Sequence, residues 1–231
     1  MVDLIELPNY ISSTFQKGTD SKNLFSYDGK KVAVLYGSTS SMIRNAKRTA
    51  SEIRPALAEI PLKTYLTVLQ AALPHYFDKQ TDFETVSKLS GSPISFVKEE
   101  IGDLKLWGKN ITDYISLCFG SETYEKIPIR VAGKLVAQRI YIPKAPVTVV
   151  LPQNDDGLAL YVLSQVFLSK NPAIVKPSSS GASAFSTIRF IEALNRGIDV
   201  SSPNNQILKK SIQVVNILDE NSEKKIQATS S

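Results

Sequence analysis

One cysteine (Cys118), one histidine (His75) and one tryptophan occur in the 231 residues. A single thiol excludes an intrachain disulfide and a multi-cysteine metal site, and a single imidazole leaves no histidine-based zinc centre. No apolar run approaches the ~18 residues that a membrane span requires. The opening stretch MVDLIELPNYISSTF carries Asp3 and Glu6 and has no positive start ahead of an apolar core, so it does not read as a secretory signal. Asn110-Ile111-Thr112 matches a glycosylation sequon, a chance match without secretion. Internal repeats and low-complexity segments are missing too. So are the G-x-G-x-x-G and G-x-x-x-x-G-K patterns, which removes the usual dinucleotide loop and the P-loop. These absences predict a cytoplasmic chain with no membrane span and no metal.

What is present is moderate in every respect. Net charge is +5, from 27 basic and 22 acidic residues, and the pI is near 9.1. The charges are spread along the chain, densest at Arg44–Arg48, so a nucleic-acid partner is not indicated. Hydrophobic residues make up 42%, enough for a real core in one large domain or two small ones.

The pattern divides the chain at about residues 120 and 146. Residues 1–120 read as a mainly helical N-terminal segment with one strand at Lys30–Ser38. The helical pattern from Ser40 to Ala72 is interrupted at Pro55 and again at Pro61. A short helix follows, with Thr81 or Asp82 as its cap and Gly91 as its stop. Ser92-Pro93 starts another helix, and the helical pattern continues from Leu104 to Phe119, placing Leu106, Trp107, Ile111, Tyr114, Ile115 and Cys118 on one face. Residues 121–146 hold a two-stranded projection, Ile127–Pro143, bent at Ala132-Gly133. In residues 147–231, strands at Val147–Pro152, Ala173–Lys176 and Ile212–Leu218 alternate with helices at Asp156–Lys170 and Gly181–Asn195. Apolar strands separated by helices specify a parallel βαβαβ sheet. The fold class is therefore α/β, a helical N-terminal segment plus an incomplete Rossmann-like unit.

Ligands of open parallel sheets bind beyond the carboxyl ends of the strands. Two such ends are chemically loaded here: Pro152-Gln153-Asn154-Asp155-Asp156-Gly157 and Lys176-Pro177-Ser178-Ser179-Ser180-Gly181, each just ahead of a helix. A lysine closing a buried strand, followed by hydroxyls, suits a phosphate-bearing ligand; the plain alternative is a polar turn and a helix cap.

The stretch YIPKAPVTVVLPQNDDGLALYVLSQVFLSKNPAIVKPSS (Tyr141–Ser179) resembles the cofactor-binding segment of the aldehyde dehydrogenase superfamily, in which a lead-in strand, a P-x-N turn, an apolar helix, a short strand and KPS follow in this order. The upstream segment VSKLSGSPISFVKEEIGDLKLW is similar to the long-chain acyl-CoA reductase branch. NDD after the first strand and KNP in place of GN are departures that also suit an outlying branch. The resemblance implies that Asn154 stabilises the oxyanion of a thiohemiacetal, with Pro152 and Gln153 beside it at the cofactor. It implies that Lys176, Ser178 and Ser179 meet the adenosine ribose. Many NAD-preferring members carry Glu where Ser179 stands; serine removes that repulsive charge, so NADP is expected ahead of NAD. It also implies subunit contacts through the two-stranded projection, hence a homo-oligomer, with NADPH and an acyl-CoA or aldehyde as partners.

The superfamily's cysteine nucleophile lies well downstream of the KPS turn. Cys118 is upstream of it, in an apolar pattern, and reads as a core thiol. The expected function is therefore the cofactor-binding part of an NAD(P)-dependent acyl-CoA reductase or aldehyde dehydrogenase, inactive by itself. The alternative is a non-catalytic module that holds a nucleotide or a partner protein.

Overall fold

The computed structural model describes residues 4–119, 126–140, 145–152, 157–179, 181–199 and 201–218. Its first elements are five strands, β1 (Ile5–Leu7), β2 (Asn9–Ile11), β3 (Thr14–Gln16), β4 (Ser21–Phe25) and β5 (Lys31–Tyr36). Of these the sequence pattern predicts only β5. Strands of three residues are too short to show an alternation, which is why β1 to β3 escape it. β2 and β3 form a hairpin closed by Ser12 and Ser13, both at positive φ (53° and 69°), as a primed turn requires. Asp28-Gly29 turns β4 into β5, with Gly29 at φ 77°.

Helices follow: α1 (Ser40–Glu59), α2 (Leu62–Ala72), a 3-10 turn at Leu73–His75, α3 (Gln80–Ser90), α4 (Ile94–Lys109) and α5 (Ile111–Phe119). α1 runs through Pro55 instead of breaking there. Proline removes one backbone donor, but Ser51 and Pro55 both lie on the exposed side, where water replaces the lost bond. Gly91 stops α3 in the left-handed conformation (φ 80°), as expected, but the cap is Lys79 and Asp82 lies buried inside the first turn. The stretch expected as one helix from Leu104 to Phe119 is divided at Asn110, whose N–H and side-chain amide both donate to the Leu106 carbonyl. The break re-aims the face: Ile111 and Ile115 are buried, Trp107 packs on Tyr161 at 4.8 Å between ring centroids, and Leu106 and Tyr114 are left exposed. Nothing is described of the Cys118 side chain.

β6 (Lys126–Val131) and β7 (Lys134–Ile140) make an antiparallel hairpin turned at Ala132-Gly133, both at positive φ (47° and 77°). The last part of the chain alternates as its pattern predicts, β8 (Val147–Val150), α6 (Leu158–Leu168), β9 (Ala173–Lys176), α7 (Ala182–Gly197) and, after a short α8 (Pro203–Leu208) that the pattern does not predict, β10 (Ile212–Val214).

β8, β9 and β10 pair in parallel, and β2 adds antiparallel to β10, giving a five-stranded sheet in the order β3-β2-β10-β9-β8. A second sheet has the order β1-β5-β4. Two buried asparagines join them. Asn9 accepts from the Asn216 N–H at 2.8 Å and donates to the Tyr36 carbonyl at 3.1 Å, while the Asn216 amide donates to the Leu7 and Tyr36 carbonyls. Both faces of the larger sheet are covered. Ala173 and Val175 share one core cluster with α6 and α7, and Ile174 packs with Ile43, Ala46 and Ala50 of α1 on the other side. This two-sided burial is why the strands read as continuous apolar runs. The α/β class is as expected, with the N-terminal strands built into the same sheet and core as the βαβαβ unit.

Candidate nucleotide-binding site

The ladder between β8 and β9 continues to the very end of both strands, Val150 opposite Lys176 and the Leu151 N–H donating to the Lys176 carbonyl at 3.0 Å. Lys176 is thus held at the carboxyl edge of the sheet by its own backbone, with its side chain half-buried. Pro177 is buried behind it, and Ser178 and Ser179 are half-buried in the turn that follows. The Ser178 N–H donates to Ser183 Oγ at 3.4 Å, tying the turn to the first turn of α7. Gly181 caps α7 at φ 117°; a Cβ there would lie 3.1 Å from both Leu24 and Leu89. Only glycine meets the backbone angle and the close packing together.

Two helix N-termini face this edge, and they differ electrically. At α6 the Gly157 N–H donates to Glu100 Oε1 at 3.3 Å, so a carboxylate from α4 already offsets the positive end of that helix. Gly157 is also packed tightly: a Cβ would come within 2.4 Å of Leu104 and 2.8 Å of Glu100. α7 has no acidic residue in its first turn and no side-chain cap from Gly181. It is 16 residues long, with a full helix dipole behind its first N–H groups. An anion is therefore better matched to the Lys176–Gly181 turn than to the start of α6.

Of the residues singled out from the sequence, Lys176, Ser178 and Ser179 are brought together in this turn. Pro152 lies exposed at the end of the neighbouring strand. Gln153 and Asn154 lie outside the described residues. Lys22 of β4 was missed: its ammonium donates to the Ser179 carbonyl at 3.3 Å and adds positive charge to the same turn. Glu100 was missed as well. Both arrive from distant parts of the chain and carry no local pattern; a glycine directly ahead of an apolar helix, Gly157, is the one hint of the close packing near Glu100. His75 is exposed in the 3-10 turn. Among the described residues there is no cluster of metal-ligating side chains and no helix long and apolar enough to cross a membrane.

No family model and no curated protein matches this sequence. Solved structures do share its fold, and several of them are aldehyde dehydrogenases. Salicylaldehyde dehydrogenase from Pseudomonas putida, complexed with salicylaldehyde, superposes with a TM-score of 0.74 at 12% identity, over 95% of this chain and 43% of that one. Aldehyde dehydrogenase 21 from Physcomitrella patens, in complex with succinate, gives 0.73 at 19% identity over 96% and 45%. NADP-dependent glyceraldehyde-3-phosphate dehydrogenase from Bacillus halodurans, complexed with NADP, gives 0.73 at 14% identity over 93% and 44%. The chain thus has the fold of a portion of the aldehyde dehydrogenases. It spans less than half the length of each of these three enzymes.

Proposed function

We propose that this chain supplies the adenosine half of an NAD(P) site, within an oxidoreductase of the acyl-CoA reductase or aldehyde dehydrogenase type. The observation that carries the reading is the Lys176–Gly181 turn: a lysine fixed at a strand end, hydroxyls, and a helix N-terminus with no acidic residue in its first turn, on one edge of a parallel sheet. Lys176, Ser178 and Ser179 take the ribose, with Pro152 and Gln153 beside the cofactor and Asn154 as oxyanion donor. The bound cofactor would accept or deliver hydride; the chain's own residues bind and orient it. With serine at 179 and lysines at 22 and 176, the local charge favours the 2′-phosphate of NADP over NAD. The acyl-CoA reductase branch is favoured by the KNP and NDD departures and by the Val86–Trp107 segment, and the reading places the chain in the cytoplasm as a homo-oligomer.

Titrating NADPH and NADH against the purified chain tests this. Lys176→Ala should weaken NADPH by more than NADH, by ~1.5–3 kcal/mol for loss of a charge-assisted contact. Ser179→Glu should reverse the preference. Equal affinities for both cofactors, unmoved by either substitution, would sink the reading. Binding of the nucleotide with no effect on acyl-CoA or aldehyde turnover in any reconstituted holoenzyme would leave the non-catalytic alternative standing in its place.

A further inference from the structure

Close to the nucleotide turn, whose Gly181 packs against Leu24 and Leu89, the β4–β5 turn and the α3–α4 junction line an open cavity of about 650 Å³. That volume lies within the few hundred to ~1,000 Å³ typical of small-molecule sites. The charged residues of its lining are mostly basic, set in otherwise apolar walls. Lys30, Lys31 and Lys88 all contribute, against a single carboxylate, Asp28. Asp28 is already engaged: it pairs with Lys30 at 2.7 Å and accepts from Ser26, and these two contacts hold its carboxyl down to about 2. Lys30 is spoken for by the same pair. Lys31 and Lys88 form no ion pair among the described residues, so the cavity keeps an excess of two positive charges.

Two further features point the same way. Pro93 and Ser92 of the wall are where α4 begins, and α4 has neither an acidic residue in its first turn nor a side-chain cap. The positive end of a 16-residue helix is therefore uncompensated at the cavity. At the rim, Tyr27 is 97% exposed, an aromatic face held out on a tight Asp-Gly turn with nothing packed against it. An exposed aromatic side chain beside these lysines offers a face on which a planar ring can stack.

We propose that this cavity binds a phosphate monoester carrying a planar ring. The dianion sits between Lys31 and Lys88, which act as point charges on phosphate oxygens, and the ring lies on Tyr27. The site shares no residue with the Lys176–Gly181 turn and does not depend on the nucleotide reading.

Calorimetric titration of the full chain with phenyl phosphate, phenol and inorganic phosphate at low salt tests it. Phenyl phosphate should bind saturably at one site. Lys31→Glu and Lys88→Glu should each weaken it at least ~10-fold, and Tyr27→Ala should weaken it several-fold. Lys176→Ala should leave it unchanged, phenol should not bind, and added salt should weaken binding. The substituted side chains at 27, 31 and 88 are all exposed, so the variants keep the wild-type circular dichroism. Phenyl phosphate binding that survives both lysine substitutions, that is lost with Lys176→Ala, or that never saturates overturns the site. Inorganic phosphate binding as tightly as phenyl phosphate overturns the role of Tyr27.

Discussion

Tyr10 shows how much one side chain carries in this fold. It is 1% exposed, and its hydroxyl reaches both Asn195 Oδ1 at 3.0 Å and the Lys209 carbonyl at 3.1 Å, fastening the β2–β3 hairpin to the end of α7. Burial pushes its ionisation up to about 12 from an ordinary 10.0. The folded state thus keeps a proton that the unfolded chain gives up first, and stability should fall as pH rises from 10 to 12, by roughly 2–3 kcal/mol in all. Tyr10→Phe should cost ~1–2 kcal/mol at neutral pH by removing the one O–H that Asn195 Oδ1 and the Lys209 carbonyl share. It should also lose that alkaline decline, so urea denaturation of the two proteins should converge near pH 12. Gly157 is a second test at this scale. Its Cβ would press into Leu104 and Glu100, so Gly157→Ala should destabilise by about 1–3 kcal/mol. A midpoint within error of wild type would show that α6 starts elsewhere.

Among the elements, α7 is the one that sets the candidate site, and charged groups hold it in place. Arg189 pairs with Asp82 of α3 at 2.9 Å and with Glu192 at 2.6 Å, and lies 4.8 Å above the Phe185 ring. Asp82 is buried, and desolvation raises its carboxyl above the usual range even though Arg189 pulls it down. An acid raised in the folded state weakens folding as pH rises above 3.8, and Arg189 limits that loss. Arg189→Met should therefore cost ~3–5 kcal/mol at pH 7 and much less near pH 4, where Asp82 accepts a proton. Thermal unfolding at the two pH values checks the difference. Replacing both partners, Asp82→Leu with Arg189→Met, should recover most of the loss. The α6-β9-α7 run was legible in the sequence because each strand is an unbroken apolar stretch and Gly181 punctuates the turn. So was the cluster of Lys176, Ser178 and Ser179, since it lies on consecutive residues. Lys22 and Glu100 were not, because they reach the site from 157 and 57 residues away. The first three strands were hidden by their brevity. Pro55 misled because a proline on a wet helix face costs less than its reputation.

For the molecule as a whole, the β6–β7 hairpin is an element open to its surroundings. Ile129, Val131, Leu135 and Val136 are between 47% and 63% exposed on it, and an isolated two-stranded ribbon is marginal in water. If it is covered by a second copy, Val131→Lys with Leu135→Lys should shift light-scattering mass toward the monomer at concentrations where the wild type associates. A mass unchanged by the pair would remove the hairpin from any interface. The seam between β2 and β10 has a different consequence, one of timing. Asn9 bonds to Asn216 across 207 residues of chain, and Ser12 to Gln213 across 201. During synthesis the N-terminal strands leave the ribosome long before β10 exists to receive them. Until then β2 has an open backbone edge, which is a point of vulnerability to mispairing. Closing so long a loop is slow, because its entropy is lost before any contact rewards it. The sheet β3-β2-β10-β9-β8 therefore cannot be complete before β10 is made, so the order of translation, as well as the strength of any one contact, sets when it closes.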